Sequence, residues 1–268
     1  MEPFQKIDNS TTLMIKEWMD EQSNLVAGMT TRHGGVSKSP FATMNLGFHV
    51  QDEYQDVLDN RHLLSSILQQ PLDNWVMGEQ IHGTKVKVIN EIDLAKGAKY
   101  HEDALSGVDG LLTNRPGVLC TAMFADCVPL FFYDSNSSWI GIAHAGWRGT
   151  VNKIAVEMIL AFVEQNVDIK TLKVAIGPCI SKMAYEVDEK VIQNIPETFK
   201  SNVITSTGSG RYLLDLRQLN REIIMQAGVL EENISVTGYC TYQHDIFFSH
   251  RRDNGTTGRM LGFIGYRE

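Results

Sequence analysis

Three short segments of this chain each place a metal-binding or nucleophilic side chain beside a glycine or a proline. Residues 79–83 contain His82, residues 125–129 contain Cys127, and residues 144–149 begin with His144. Strand ends and loops carried by a rigid scaffold are where binding and catalytic residues concentrate. The separations along the chain are too long for a local zinc knuckle, so any shared site must be assembled by the tertiary fold.

Two imidazoles and one thiolate are a donor set that suits zinc. Three protein ligands leave the fourth tetrahedral position open for water or substrate, which is typical of catalytic rather than structural zinc sites. Asp126, next to Cys127, would orient a ligand imidazole or act as a general acid or base. The alternative is structural, because a histidine in a turn usually faces solvent or core, and a cysteine in an apolar run usually packs.

Polar residues near these segments suggest an anion or substrate site. Arg32 and Arg148 could hold a phosphate through forked hydrogen bonds. Arg148 precedes a predicted helix start, where backbone N–H groups would add to the attraction. Asn45 lies in an otherwise apolar turn, where it either contacts substrate or caps the turn.

The elements that must position these residues are mostly short and apolar. Amphipathic spacing predicts helices over residues 52–69, 151–164 and 216–226. Apolar runs of strand length, and one alternating run, predict strands; these cover residues 25–29, 85–89, 118–124, 128–133, 139–143, 172–176, 234–237, 246–249 and 260–264. The runs at 128–133 and 139–143 are separated by a turn and are predicted to pair as antiparallel neighbours.

The order of these elements predicts an α+β fold, because hairpin runs of strands mix with strands that alternate with helices. No linker divides the 268 residues, so residues 1–268 are predicted to form a single catalytic domain. The net charge of −8 argues against nucleic-acid or membrane-surface partners. Neither a signal peptide nor a membrane-spanning apolar run is evident, so a cytoplasmic protein with reduced cysteines is expected.

Several motifs together resemble the YfiH/YlmD family, once called laccase-like or polyphenol oxidase and now linked to purine nucleoside metabolism. The stretches that carry the resemblance run from residue 31 to residue 252; they are TRHGGVS, MNLG, QIHG, DG, ADCVP, HAGWRG, GPCI and FSHRR. The resemblance implies zinc held by His82, Cys127 and His144. It also implies layered mixed β-sheets flanked by helices in an α/β/β/α-like arrangement.

The resemblance further implies two reactions on purine nucleosides. One is phosphorolysis of adenosine, inosine, guanosine or methylthioadenosine to the base and a pentose 1-phosphate. The other is hydrolytic deamination of adenosine to inosine. In the first, zinc and Arg148 would orient phosphate; in the second, Asp126 would move protons.

Three alternatives stay open at this level. A copper-dependent polyphenol oxidase would use the His₂Cys set with a methionine such as Met123, although eight histidines without one His-X-His pair argue against a multicopper site. A metal-free hydrolase would use Cys127 as the nucleophile and His144 or His82 as the base. A non-catalytic protein would bind purine nucleosides without turnover.

Overall fold

Fifteen strands, numbered in chain order, form three β-sheets in the computed structural model, which describes residues 2–7 and 10–268. The first sheet has the order β1 (Phe4–Gln5), β2 (Thr12–Ile15), β3 (Leu25–Thr30), β15 (Met260–Tyr266), β7 (Leu119–Phe124), β4 (Trp75–Met77). The second has the order β14 (Ile234–Val236), β10 (Lys173–Ile176), β8 (Val128–Asp134), β9 (Trp139–Ala145), β6 (Gly110–Thr113), β5 (Val86–Val88). The third contains β11 (Glu186–Asp188), β13 (Arg211–Leu214) and β12 (Ile204–Gly208).

Seven α-helices accompany these sheets in the described part of the chain. They are α1 (Lys16–Glu21), α2 (Tyr54–Leu68), α3 (Trp147–Val151), α4 (Ile154–Glu164), α5 (Glu189–Ile192), α6 (Glu197–Val203) and α7 (Leu216–Gln226). None of them is long and apolar enough to cross a membrane. All four cysteines are free thiols, and only Cys127 is partly exposed.

The two six-stranded sheets pack face to face, and helices cover their outer faces. In β8, Phe131 and Tyr133 join the core between the sheets, whereas Leu130 and Phe132 join a second core with α4 and α7. On the far side, Leu64 of α2 packs against the first sheet. Successive side chains of a strand point to opposite faces, so strands buried on both faces are continuously apolar. The α+β, layered α/β/β/α prediction is confirmed.

The hairpin formed by β8 and β9 positions two of the predicted ligands. Its antiparallel register pairs Val128 with Ala145, which places Cys127, just before β8, beside His144 near the end of β9. Strand β6 pairs with β9 on the other side, and the His144 N–H donates to the Asp109 carbonyl over 2.8 Å. The predicted antiparallel pairing is therefore confirmed.

Two predicted elements differ from the structure. The predicted helix 151–164 is wrong at its start, because the chain forms α3 and then breaks before α4, where Lys153 adopts a left-handed φ of 71°. The predicted strand 246–249 is also wrong. Its backbone turns back instead, and the Phe247 carbonyl accepts a hydrogen bond from Arg252 Nη2 over 2.8 Å.

Candidate metal centre and its cavity

The structure brings the three predicted metal ligands together. The ligand atoms of His82, Cys127 and His144 all lie within 4.8 Å of one another. Cys127 Sγ is 3.9 Å from His82 Nε2, and the two imidazole rings meet edge to face with centroids 4.8 Å apart. Within residues 2–7 and 10–268, this is the one cluster of its kind.

A carboxylate that the sequence did not single out for this role organises the cluster. Asp109 Oδ1 lies 2.9 Å from His144 Nδ1 and also accepts the backbone N–H of His82 over 3.1 Å. Asp109 Oδ2 accepts the backbone N–H groups of Ile81 and Gly83 at 3.1 and 2.8 Å. Burial by itself would raise the pKa of the Asp109 carboxyl, but the hydrogen bonds from His144 and the backbone outweigh it and lower the pKa.

The electrostatics of the cluster favour a bound cation. Burial would raise the pKa of the Cys127 thiol, but the neighbouring imidazoles of His144 and His82 lower it to about 6. The pKa of His144 is correspondingly raised, because the attraction of Cys127 and Asp109 exceeds the cost of burial. A thiolate that attracts a proton onto His144 would attract a metal ion in the same place. The donor set fits zinc, with Asp109 orienting the imidazole as metal-binding histidines require.

Gly146 leaves the room that the cluster needs. A Cβ atom at this position would lie 2.6 Å from His82 Cδ2 and 3.1 Å from Cys127 Sγ. Real side chains essentially never tolerate the shorter of these distances. The glycine after His144 and Ala145 is thus a geometric requirement of the site.

The cluster opens into a cavity of about 450 Å³. Such a volume is within the usual range for small-molecule sites. Besides the three ligands, ten residues line it; they include His49, Gln80, His101, Met123, His250 and Arg259. Gln80 is held in place, because its side chain exchanges two hydrogen bonds with the backbone of Met123, at 2.7 and 2.8 Å.

Asp126 has a different environment from the one predicted. Its Oδ1 accepts a hydrogen bond from Thr241 Oγ1 over 2.6 Å, and its Oδ2 accepts the backbone N–H of Arg251 over 2.7 Å. The carboxylate therefore ties the turn before β8 to two C-terminal loops. The hypothesis that Asp126 orients a ligand imidazole is therefore replaced, because the carboxylate in contact with His144 is Asp109.

The three predicted substrate-binding residues lie outside the residues that line the cavity. Arg32 donates from Nε to the Ala42 carbonyl over 2.9 Å and stacks on Phe248. Arg148 is exposed, lies within α3 rather than before a helix, and stacks on Trp147.

Asn45 is buried, and every polar atom of its amide is used within the protein. Its Nδ2 donates to Gly47 O and Asp52 Oδ2, and its Oδ1 accepts from the N–H groups of Gly47 and Arg259. Asn45 thus orients Arg259, a cavity residue that the sequence reading did not select. The one available signal was an arginine following the Thr-Gly pair at residues 257–258, near the C-terminus.

A model of the family described as multi-copper polyphenol oxidoreductase laccase matches residues 26–267. The chain belongs to this family. Its relatives include the purine nucleoside phosphorylase YlmD of Bacillus subtilis (strain 168), 41% identical over 99% of this chain and 98% of the relative. The protein of the same name from Geobacillus stearothermophilus is 44% identical over 91% of this chain and 90% of the relative.

Solved structures of the family have the same fold. The hypothetical protein YfiH of Bacillus licheniformis superposes with a TM-score of 0.95 at 38% identity, and both chains are covered completely. YlmD of Geobacillus stearothermophilus superposes with a TM-score of 0.94 at 41% identity, again over the whole of both chains. The resemblance to the YfiH/YlmD family that the motifs indicated is confirmed.

Proposed function

We propose that this protein is a zinc-dependent purine nucleoside phosphorylase. Its substrates would be adenosine, inosine, guanosine and methylthioadenosine, which phosphate converts to the free base and a pentose 1-phosphate. The proposal rests on one observation above all, the His82–Cys127–His144 cluster at the wall of a cavity large enough for a nucleoside. Relatives that match nearly the whole chain and carry the name purine nucleoside phosphorylase support it.

The protein's own residues hold the candidate ligands in position before metal and substrate bind. Asp109 accepts the Nδ1 proton of His144 and so turns the Nε2 lone pair toward the position shared with Cys127 and His82. The same carboxylate holds the 81–83 loop, which keeps the His82 ring in place. When bound, zinc would supply Lewis acidity, which polarises an electron-rich group of the substrate.

A second reaction, hydrolysis of adenosine to inosine and ammonia, is proposed for the same cavity. The observation that favours it is the number of protein donors, since three ligands leave a fourth tetrahedral position for water. In this proposal Asp126 acts as an acid or base only if it exchanges its hydrogen bonds to Thr241 and Arg251 for substrate.

The test is chromatography of zinc-replete protein incubated with adenosine, with and without phosphate. Adenine and ribose 1-phosphate that appear only with phosphate would support phosphorolysis, and inosine formed without phosphate would support deamination. The variant His82→Ala should lose both activities, whereas His62→Ala, an exposed histidine on α2, should keep them. No product from protein with confirmed bound zinc would overturn the proposal.

Two measurements separate the alternatives that the sequence left open. A His₂Cys copper centre absorbs strongly in the visible region, whereas the zinc protein is colourless. A metal-free thiol hydrolase would survive chelation and be inactivated by alkylation of Cys127. The proposed zinc enzyme would instead lose activity on chelation and regain it when zinc is restored.

A further inference from the structure

Arg259 lines the cavity without a carboxylate partner. Its Nη1 donates to the carbonyls of Thr257 and Gly258 at 2.8 and 3.1 Å. Nothing in residues 2–7 and 10–268 makes an ion pair with it or accepts a hydrogen bond from its Nε or Nη2. An arginine that is partly withdrawn from water and still has free donors is suited to bind an anion bidentately.

The backbone around Arg259 is held firmly, so the position of the side chain is preorganised. Its N–H donates to Asn45 Oδ1 over 2.9 Å, and its carbonyl accepts the N–H of Leu46 over 3.1 Å. The segment 45–47 is in turn held by Arg61, whose Nε and Nη2 both donate to the Leu46 carbonyl. Two buried side chains, Asn45 and Arg61, therefore support one guanidinium at the cavity wall.

Two histidines extend this wall. His49 and His101 both line the cavity, and their ring centroids are 5.5 Å apart. His49 lies beside Arg259, because a Cβ placed on Gly47 would be 3.2 Å from His49 Cε1 and 2.8 Å from Arg259 Cγ. A neutral imidazole offers one N–H donor, so each ring could add a hydrogen bond to an anion that Arg259 binds.

Asp126, the carboxylate whose charge acts on Arg259, already accepts hydrogen bonds from Thr241 Oγ1 and the Arg251 N–H. Glu79 lines the cavity, but its Oε2 accepts hydrogen bonds from Ser106 Oγ over 2.8 Å and from the Gly107 N–H over 3.2 Å. The charge of Cys127 is the one that the bound metal would neutralise. In a chain with a net charge of −8, this wall therefore presents an unpaired positive charge to the cavity.

We propose that Arg259, with His49 and His101, binds the inorganic phosphate that serves as co-substrate. This inference rests on the proposed function and assigns the anion subsite of that same cavity. A phosphate oxygen held there forms a bond to C1′ of the nucleoside while the C1′–N9 bond breaks. The purine nitrogen keeps the electron pair of the broken bond and takes a proton from solvent, so that atoms and charge balance.

The experiment compares metal-replete wild type, Arg259→Gln and the control Arg115→Gln. Arg115 is an exposed arginine paired with Glu91 and remote from the cavity residues. Two readouts are taken. The first is the ³¹P linewidth of inorganic phosphate titrated with each protein, and the second is the KM for phosphate measured separately from the KM for nucleoside.

In Arg259→Gln, the affinity for phosphate is expected to fall about 10- to 100-fold, as for loss of a charged bidentate contact. The KM for phosphate should rise by a similar factor, and the KM for nucleoside should change less than about twofold, because in this proposal Arg259 contacts the phosphate and not the nucleoside. His49→Asn and His101→Asn should each raise the KM for phosphate by a smaller factor.

The outcomes distinguish this inference from the proposed function. If the ³¹P signal of phosphate broadens equally with wild type and with Arg259→Gln, phosphate binds at the metal or elsewhere. The inference is then overturned even if phosphorolysis proceeds. If phosphate binds to wild type and not to Arg259→Gln while neither protein cleaves nucleosides, the anion subsite stands and the proposed function fails. If none of the proteins broadens the ³¹P signal of phosphate, the inference is overturned.

Discussion

Asp109 Oδ1 contacts His144 Nδ1 at 2.9 Å and the backbone N–H of His82 at 3.1 Å, so one oxygen atom links two of the three candidate ligands. The ligands come from segments far apart in the chain, and Asp109 joins the segment of His82 to that of His144. A carboxylate in this position sets the tautomer of the imidazole and raises its basicity toward a metal. The candidate centre therefore depends on a fourth residue that would not itself bind the metal.

The first prediction concerns this carboxylate. Asp109→Asn is expected to lower zinc affinity by about 10- to 100-fold, the usual effect of removing an outer partner of a metal-binding histidine. Affinity is measured by competition with a chromogenic chelator. Asp93→Asn is the matched control, since Asp93 and Asp109 are both 3% exposed and Asp93 pairs with Lys87 instead. Equal zinc affinity in wild type and Asp109→Asn would contradict the assigned role.

The second prediction concerns the space beside the ligands. Gly146→Ala places a methyl group 2.6 Å from His82 Cδ2 and 3.1 Å from Cys127 Sγ, so the imidazole must shift from its present position. Zinc affinity and activity should both fall by at least about tenfold, since ligand geometry must be held closely. Gly238→Ala is the control, because its new Cβ would meet nothing nearer than 3.5 Å. Full zinc binding by Gly146→Ala at unchanged affinity would show that the site can relax around the methyl group.

The third prediction concerns Arg61, which is fully buried in α2. Its guanidinium donates to the carbonyls of Leu46, Gly97 and Ala98, and burial lowers its pKa to about 9. Arg61→Met would leave these carbonyls without donors and is expected to lower the free energy of unfolding by about 3 kcal/mol or more. Urea denaturation measures this loss.

A surface arginine gives the comparison for Arg61. Arg115→Met removes an exposed ion pair with Glu91 and should change the free energy of unfolding by less than about 0.5 kcal/mol. Similar unfolding midpoints for Arg61→Met and Arg115→Met would mean that the loops 46–49 and 97–101 do not depend on the buried guanidinium.

The fourth prediction is a pH dependence. Partial desolvation at the cavity wall, together with the positive charges of Arg259 and Arg61, lowers the pKa of His49 to about 4, below its ordinary value of 6.5. Between these two values the unfolded chain binds more protons at this residue than the folded chain. The contribution of His49 therefore makes the fold less stable as the pH falls from 6.5 toward 4.

Histidine resonances followed by NMR in metal-replete, phosphate-free protein test this point. The His49 signal should titrate well below pH 6. In Arg259→Gln the pKa of His49 should rise, because one of the positive charges that lower it is removed. A His49 pKa near its ordinary value of 6.5 would show that the ring is solvated as in bulk water.

The fifth prediction concerns metal removal. The two packed sheets and their helices bury three apolar clusters, to which the candidate centre adds one partly buried side chain, Cys127. Chelated protein should therefore stay folded by circular dichroism, with a lower melting temperature that recovers as zinc is added back. Unfolding on chelation would indicate a structural rather than a catalytic metal site.

Much of the secondary structure follows from local pattern. The predicted helices over 52–69 and 216–226 match Tyr54–Leu68 and Leu216–Gln226, because their apolar residues recur on one helical face. The strand predicted at 246–249 is absent, because an apolar run cannot reveal that Arg252 binds the carbonyl of Phe247 and turns the chain. Local pattern likewise missed the strands β11, β12 and β13, because they are short and most of their residues are exposed or half-buried, so no apolar alternation stands out.

By itself, the sequence offered His82, Cys127 and His144 as one possible donor set, because each of them stands beside a glycine or a proline, and the resemblance to the YfiH/YlmD family then singled out this set. The order of hairpin strands and alternating helices indicated the α+β class, and the family resemblance implied the layered arrangement. Only the tertiary structure decided that Asp109 rather than Asp126 orients His144, and that Arg259 rather than Arg32 or Arg148 faces the cavity. The sheet register, together with the buried side chains of Asn45 and Arg61, sets which side chains face the cavity. The spacing of residues along the chain does not show where a side chain points.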